Sequence, residues 1–173
     1  MEKLNTLISE EDIQKRIKEL AKVITKDYEG KELTLICILK GSTFFTVDLA
    51  KRIDNKLKLE FIEVSSYENG TQSSGKITLN KDIKGSVEGK DILVVEDIID
   101  TGRTLSYLLD HLKKQNPASI KLCTLLNKPS RRIIDVKVDY IGFDIEDKFV
   151  VGYGLDVDQC YRNLPYIAYI QEN

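Results

Sequence analysis

The run LTLICIL, residues 33–39, constrains the fold of this chain more than any other stretch. It is too short for a buried helix, and an apolar run without polar alternation suits a strand covered on both faces, as in a parallel sheet. Similar strand signals recur at LKLEFIEV (57–64), DILVV (91–95) and SIKLCTLL (119–126). Between them lie helical patterns. Ser9 followed by Glu10, Glu11 and Asp12 reads as an N-cap with acids at the positive end of a helix dipole, and Ile13, Ile17, Leu20, Ala21 and Ile24 then recur at helical spacing. Phe44, Val47, Asp48, Ala50 and Ile53 fit a second helix, and residues 104–112 a third. The alternation predicts an α/β fold with a mostly parallel central sheet flanked by helices, and 173 residues suit one domain. Ligands of such folds bind at the carboxyl ends of the strands.

Charge and cysteine content exclude several partners. Lys and Arg number 26 against 28 Asp and Glu, a net charge of −2, so no positive excess exists to hold a polyanion and nucleic acid is not expected. The start, MEKLNTLISEEDIQKRI, lacks the apolar core of a signal peptide. No apolar run approaches the roughly 18 residues that span a bilayer, so a cytoplasmic protein without membrane contact is expected. Cys37, Cys123 and Cys160 are odd in number and far apart, which suits neither a disulfide framework nor a zinc knuckle and predicts free thiols. SSYENGTQSSG, residues 65–75, is too polar and too long for an ordinary connector. It fits a mobile flap over a site, or an insertion without function.

The stretch VVEDIIDTGRTL, residues 94–105, carries the chemistry. Asp100-Thr101-Gly102-Arg103-Thr104 can wrap backbone N–H groups and two hydroxyls around a phosphate, with the following helix aiming its positive end at the anion. Glu96 and Asp97 can face sugar hydroxyls or a hydrated magnesium ion, which takes hard oxygen ligands and shares them with substrate phosphates. A TG-T turn alone, or an acidic pair after a strand, is commonplace; behind an apolar strand the combination is specific.

This stretch resembles the phosphoribosyl pyrophosphate-binding motif of the type I phosphoribosyltransferases, and more narrowly of the hypoxanthine-guanine phosphoribosyltransferases. The resemblance covers nearly the whole chain. ILKGS (38–42) resembles the family's pyrophosphate loop, which implies a cis peptide at Leu39–Lys40 and pyrophosphate contacts from Lys40 and Gly41. SSYENG (65–70) is similar to the flexible loop whose Ser-Tyr pair, here Ser66 and Tyr67, closes over the reacting centre. LLNKPSRR (125–132) places Lys128 at the purine-reading lysine. The run from Ile141 to Ile167 resembles the family's hood. There Phe149 would stack on the base, Val150 and Asp156 would complete the purine site, Asp156 would also reach magnesium-bound water, and Arg162 would reach pyrophosphate.

The resemblance implies one domain over 1–173, with a core at about 10–140, a hood at 141–173 joined by the N-terminal residues, and the flexible loop at 65–75. It implies transfer of phosphoribosyl from phosphoribosyl pyrophosphate to hypoxanthine or guanine, giving IMP or GMP, with Mg2+ as cofactor and a homodimer or homotetramer as the assembly. Asp100 to Thr104 would hold the 5'-phosphate, Glu96 and Asp97 the ribose and metal, and Asp100 would act as general acid/base at purine N7. Arg103 stands where relatives often have Lys or Leu. A xanthine-preferring enzyme or a regulatory nucleotide-binding member of the fold would share these features. By themselves, the sole histidine, His111, reads as a helix-face residue without a catalytic part, and Arg131-Arg132 as a solvated turn.

Overall fold

The computed structural model describes residues 3–66 and 77–171. In chain order its first half holds β1 (Lys3–Ile8), α1 (Glu10–Asp27), β2 (Leu33–Leu39), α2 (Thr43–Ala50), β3 (Leu57–Ser66) and β4 (Ile77–Lys81). The second half holds β5 (Asp91–Ile99), α3 (Arg103–Lys113), β6 (Ser119–Asn127), a 3₁₀ turn (Pro129–Arg131), β7 (Tyr140–Asp144), β8 (Val150–Val151) and β9 (Ile167–Gln171). Tyr67 and most of the expected flexible loop lie outside the described residues.

Six strands form the main sheet in the order β4-β3-β2-β5-β6-β7. Every pair is parallel except β3 with β4. β2 is central, which explains its apolar run: six of its seven residues are buried. Alternate side chains divide between two cores. On one face Leu33, Leu35, Leu93, Val95, Cys123 and Leu125 pack under α1 and α2. On the other Ile36, Ile92, Val94 and Leu122 pack under Leu105, Leu108 and Leu112 of α3.

α1 starts where its cap predicts, with Ser9 Oγ accepting the Asp12 N–H at 3.1 Å. Its five buried residues are the five of the helical pattern, Ile13, Ile17, Leu20, Ala21 and Ile24, and each larger one contributes about 1.5–3 kcal/mol by leaving water. α2 ends at Ala50, short of Ile53. β5 runs four residues past the apolar segment, because its ladder with β6 continues to Ile99 opposite Asn127 and carries Glu96 and Asp97 along.

β1, β9 and β8 form a separate antiparallel sheet of three strands, joining the start of the chain to its end. Arg16 of α1 ties the first helix to the edge strand β7 of the main sheet, donating to the Ile141 and Gly142 carbonyls at 2.7 and 2.9 Å. Among the described residues no helix is long and apolar enough to cross a membrane.

Candidate active site

The loops that leave β2, β5 and β6 at their carboxyl ends converge on one edge of the sheet. After β5, Asp100-Thr101-Gly102 turns directly into α3. Gly102 caps the helix with φ +83°, and an added Cβ would lie 2.5 Å from the Ile134 carbonyl oxygen, so only glycine fits. The first turn of α3 has no acidic residue and no side-chain cap on Gly102; Arg103 N–H makes a long 3.4 Å contact with Thr101 Oγ1. The positive end of the helix thus faces a hollow of about 140 Å³ lined by Glu96, Asp100, Thr101, Gly102 and Thr104.

The β2 loop adjoins it. Leu39–Lys40 is a cis peptide, as the resemblance implies. A Cβ at Gly41 would overlap the Asp97 carboxylate, so this loop lies directly against the acid pair. Gly154 packs in turn against the Gly41 carbonyl. Arg162 donates to the Gly154 carbonyl at 2.7 Å and pairs with Asp156 at 2.9 Å. Lys40 Nζ reaches Gln159 Oε1 at 3.5 Å.

Glu96 and Asp97 are held by backbone: Asp97 N–H donates to Glu96 Oε1 at 2.9 Å, and Ile98 N–H to Asp97 Oδ1 at 2.6 Å. Burial, reinforced by the charge of Asp97, pushes the Glu96 carboxyl well above the usual carboxylate range. Asp97 is raised as well, by burial, with the Arg162 charge and several hydrogen bonds opposing. Two adjacent acids, Glu96 buried and Asp97 partly so, with little positive charge beside them are a fitting place for a hard cation. Among the described residues no three metal-ligating side chains gather, so magnesium here would complete its shell with water and substrate oxygens, as it prefers.

Beyond Asp100 lies the loop after β6. Lys128 is only 7% exposed; its N–H donates to the Ile99 carbonyl at 3.0 Å, and its ammonium pairs with Asp147 at 3.6 Å. Phe149 is 60% exposed beside buried Val150, an aromatic face left open to solvent. Arg131 and Arg132 are no free turn: Arg131 Nε donates to Asp100 Oδ1 at 2.8 Å, and Arg132 Nε to the Asp100 carbonyl at 3.1 Å.

Similarity to known proteins matches this geometry. The phosphoribosyl transferase domain family matches residues 6–158. The chain belongs to this family. It is 52% identical over 165 residues to a hypoxanthine-guanine phosphoribosyltransferase of Bacillus subtilis, covering 95% of this chain and 92% of that one. It is equally identical to the bifunctional protein TilS/HprT of Listeria monocytogenes, of which it spans 26%. A crystal structure of a hypoxanthine-guanine phosphoribosyltransferase from Bacillus anthracis superposes with a TM-score of 0.93 at 49% identity, covering 99% of this chain and 100% of that one.

The chain brings together Lys40, Gly41, Glu96, Asp97, Asp100 to Thr104, Asp156 and Arg162 around one edge, with Lys128 past Asp100; Phe149 and Val150 follow shortly after Asp147, the partner of Lys128. Ser66 ends β3, and Tyr67 is outside the described residues. Three participants are not evident from sequence. Asp147 pairs with both Lys128 and Arg131. Gly154 packs against the β2 loop from more than a hundred residues away. Arg131 shows only as one of two adjacent cations. His111 stands apart, bonded to Asp82 at 2.9 Å.

Proposed function

We propose that this domain transfers the phosphoribosyl group of phosphoribosyl pyrophosphate to hypoxanthine, and also to guanine, releasing pyrophosphate and forming IMP or GMP. One observation carries the reading: the adjacent acids Glu96 and Asp97 stand between two anion-binding loops. Glu96 lines the hollow before α3, and Asp97 lies against Gly41 of the β2 loop. A ribose with a phosphate at one end and a pyrophosphate at the other presents its hydroxyls between two such loops. The names of the Bacillus relatives favour the same substrates.

In the transfer the bond from ribose C1 to pyrophosphate oxygen breaks, the bond from C1 to the purine nitrogen forms, and the purine loses a proton. Positive charge grows on the sugar and negative charge on the leaving group, so groups that hold the leaving group more tightly as it departs accelerate the step. Lys40, the Gly41 N–H and Arg162 are suited to that task. Thr101 to Thr104 anchor the 5'-phosphate. Glu96 and Asp97 orient the ribose hydroxyls, and Asp100 accepts the purine proton at N7. Lys128 donates to the 6-oxo group while Phe149 stacks on the ring, with Val150 and Asp156 closing the purine pocket.

With Asp156 reaching metal-bound water, Glu96 and Asp97 are the carboxylates that would hold magnesium. When bound, it neutralises phosphate oxygens and so eases departure of pyrophosphate. We place the reaction in the cytoplasm and in a homodimer or homotetramer, with residues 141–173 and the N-terminal strand as a hood and residues 65–75 as the loop whose Ser66 and Tyr67 close over the reacting centre.

Calorimetric titration of phosphoribosyl pyrophosphate with magnesium tests the assignment of the acids. The double variant Glu96→Gln, Asp97→Asn should fold and bind at least about tenfold more weakly, since charge-assisted contacts are lost. Unchanged affinity would remove the pair from the site.

A further inference from the structure

The pair Arg131-Arg132 is the one sequence feature near the site to which the proposed reaction assigns no task. Arg131 leaves the 3₁₀ turn with its guanidinium between two acids. Nε donates to Asp100 Oδ1 at 2.8 Å, and Nη1 to Asp147 Oδ2 at 3.4 Å. The other Asp147 oxygen, Oδ1, pairs with Lys128 Nζ at 3.6 Å. A continuous chain therefore runs Asp100, Arg131, Asp147, Lys128. It links the group that takes the purine proton to the group that reads the purine 6-position. The two otherwise belong to different strands, Asp100 following β5 and Lys128 following β6.

We propose that Arg131 is a positioning residue that sets the distance between the proton acceptor and the base reader. This rests on the proposed phosphoribosyl transfer to a 6-oxopurine. With Oδ1 occupied by Arg131, Asp100 keeps Oδ2 for the base, and its rotation is restrained. Arg132 holds the Asp100 carbonyl, so side chain and main chain of one aspartate are fixed by consecutive arginines. The second arm of Arg131 fixes Asp147, which in turn holds the Lys128 ammonium at the mouth of its buried position. Arginine suits this place because its planar fork donates in two directions at once; a lysine ammonium at the same site would serve one acid well and the other poorly.

Steady-state kinetics separate the two arms. In Arg131→Met the Michaelis constant for hypoxanthine should rise and kcat fall, each about tenfold, as expected for loss of hydrogen bonds to charged groups. The Michaelis constant for phosphoribosyl pyrophosphate should rise less than that for hypoxanthine, because Arg131 meets only the Asp100 carboxylate of the phosphate turn, and the melting temperature should stay close to wild type, because the core is not touched. Arg131→Lys should recover part of the loss. Asp147→Asn should raise the hypoxanthine Michaelis constant by itself, and adding Arg131→Met should raise it little further, because both act through Lys128. The effect of Arg131 on kcat should persist in the Asp147→Asn background, since it runs through Asp100. An active wild-type enzyme with Arg131→Met indistinguishable from it, or fully additive effects on the hypoxanthine constant, would overturn the proposal alone. A wild-type enzyme that forms no nucleotide from hypoxanthine would overturn the functional reading and this proposal with it.

Discussion

Glu96 shows how the site trades stability for binding. Its carboxyl is buried, has one backbone donor and faces Asp97, so its folded pKa lies well above the value near 4.3 expected in the unfolded chain. An acid raised in this way contributes its stability below the unfolded pKa and loses it as pH climbs through the folded one. Glu96→Gln does not titrate, and its amide can keep the Asp97 N–H bond while donating to the Asp97 carboxylate. Without metal or substrate, the variant should match wild type near pH 4 and become more stable by on the order of 1–3 kcal/mol at pH 8. Thermal unfolding across that range checks the sign; a variant less stable at pH 8 would contradict it. The cysteines make a second prediction. Cys123 is buried, and burial pushes its thiol far above the ordinary value; Cys37 is buried too, and Cys160 is exposed. A thiol reagent should label Cys160 alone in the folded protein and all three after denaturation, as intact-mass measurement would show. At this scale the sequence was most legible where function compresses residues into one short stretch, as from Glu96 to Thr104. Asp147 and Arg131 could not be read, because their meaning lies in a pairing across the fold.

Among the elements, the core strands were legible and the hood strands were not. β2 and β6 are near-continuous apolar runs because their neighbours cover both faces, whereas β8 has only two residues and β9 is a five-residue strand between β1 and β8 of the small sheet. The end of β5 was underestimated because Glu96 and Asp97 interrupt its apolar run before Ile98 and Ile99, and ladder pairing with β6 outweighs the weak strand preference of the two acids. The hood's position depends on a tie that no local pattern announces. Tyr153, with φ +49° and nearly buried, donates its hydroxyl to Asp48 of α2, the helix that follows the β2 loop. Gln14 also donates to Asp48, at 3.1 Å, and Gly154 next to Tyr153 rests on Gly41. Tyr153→Phe should cost about 1 kcal/mol, because the half-buried Asp48 carboxylate loses one of its donors and keeps Gln14. Hydrogen exchange should accelerate in residues 150–171 while β2 and β5 stay protected, and the Michaelis constant for phosphoribosyl pyrophosphate should rise a few-fold (about 2–5) as the packing on Gly41 loosens. Equal acceleration in all strands would mean that the tie serves global stability instead.

For the whole molecule, the parallel sheet explains why distant residues meet. Loops after β2, β5 and β6 all leave the same edge, so the β2 loop, the acid pair, the phosphate turn and Lys128 become neighbours although they span residues 39–128. The C-terminal segment brings Arg162 and Asp156 against the β2 loop from the far end of the chain. In the proposed reaction this edge joins phosphoribose to a 6-oxopurine. Lys128 has hydrogen-bond donors only, so it accommodates the 6-oxo acceptor of hypoxanthine and guanine and opposes the 6-amino donor of adenine. Sites built to bond a substrate group reject analogues lacking it by about 10⁴ or more when the buried donor goes unpaired. The decisive measurement is a product assay with phosphoribosyl pyrophosphate, magnesium and each base in turn, on wild type and Lys128→Ala. Wild type should form IMP rapidly, GMP measurably and almost no AMP, and the variant should show a higher Michaelis constant for hypoxanthine and a narrower margin over adenine. Ready conversion of adenine by wild type, or no nucleotide from any base, would contradict the account.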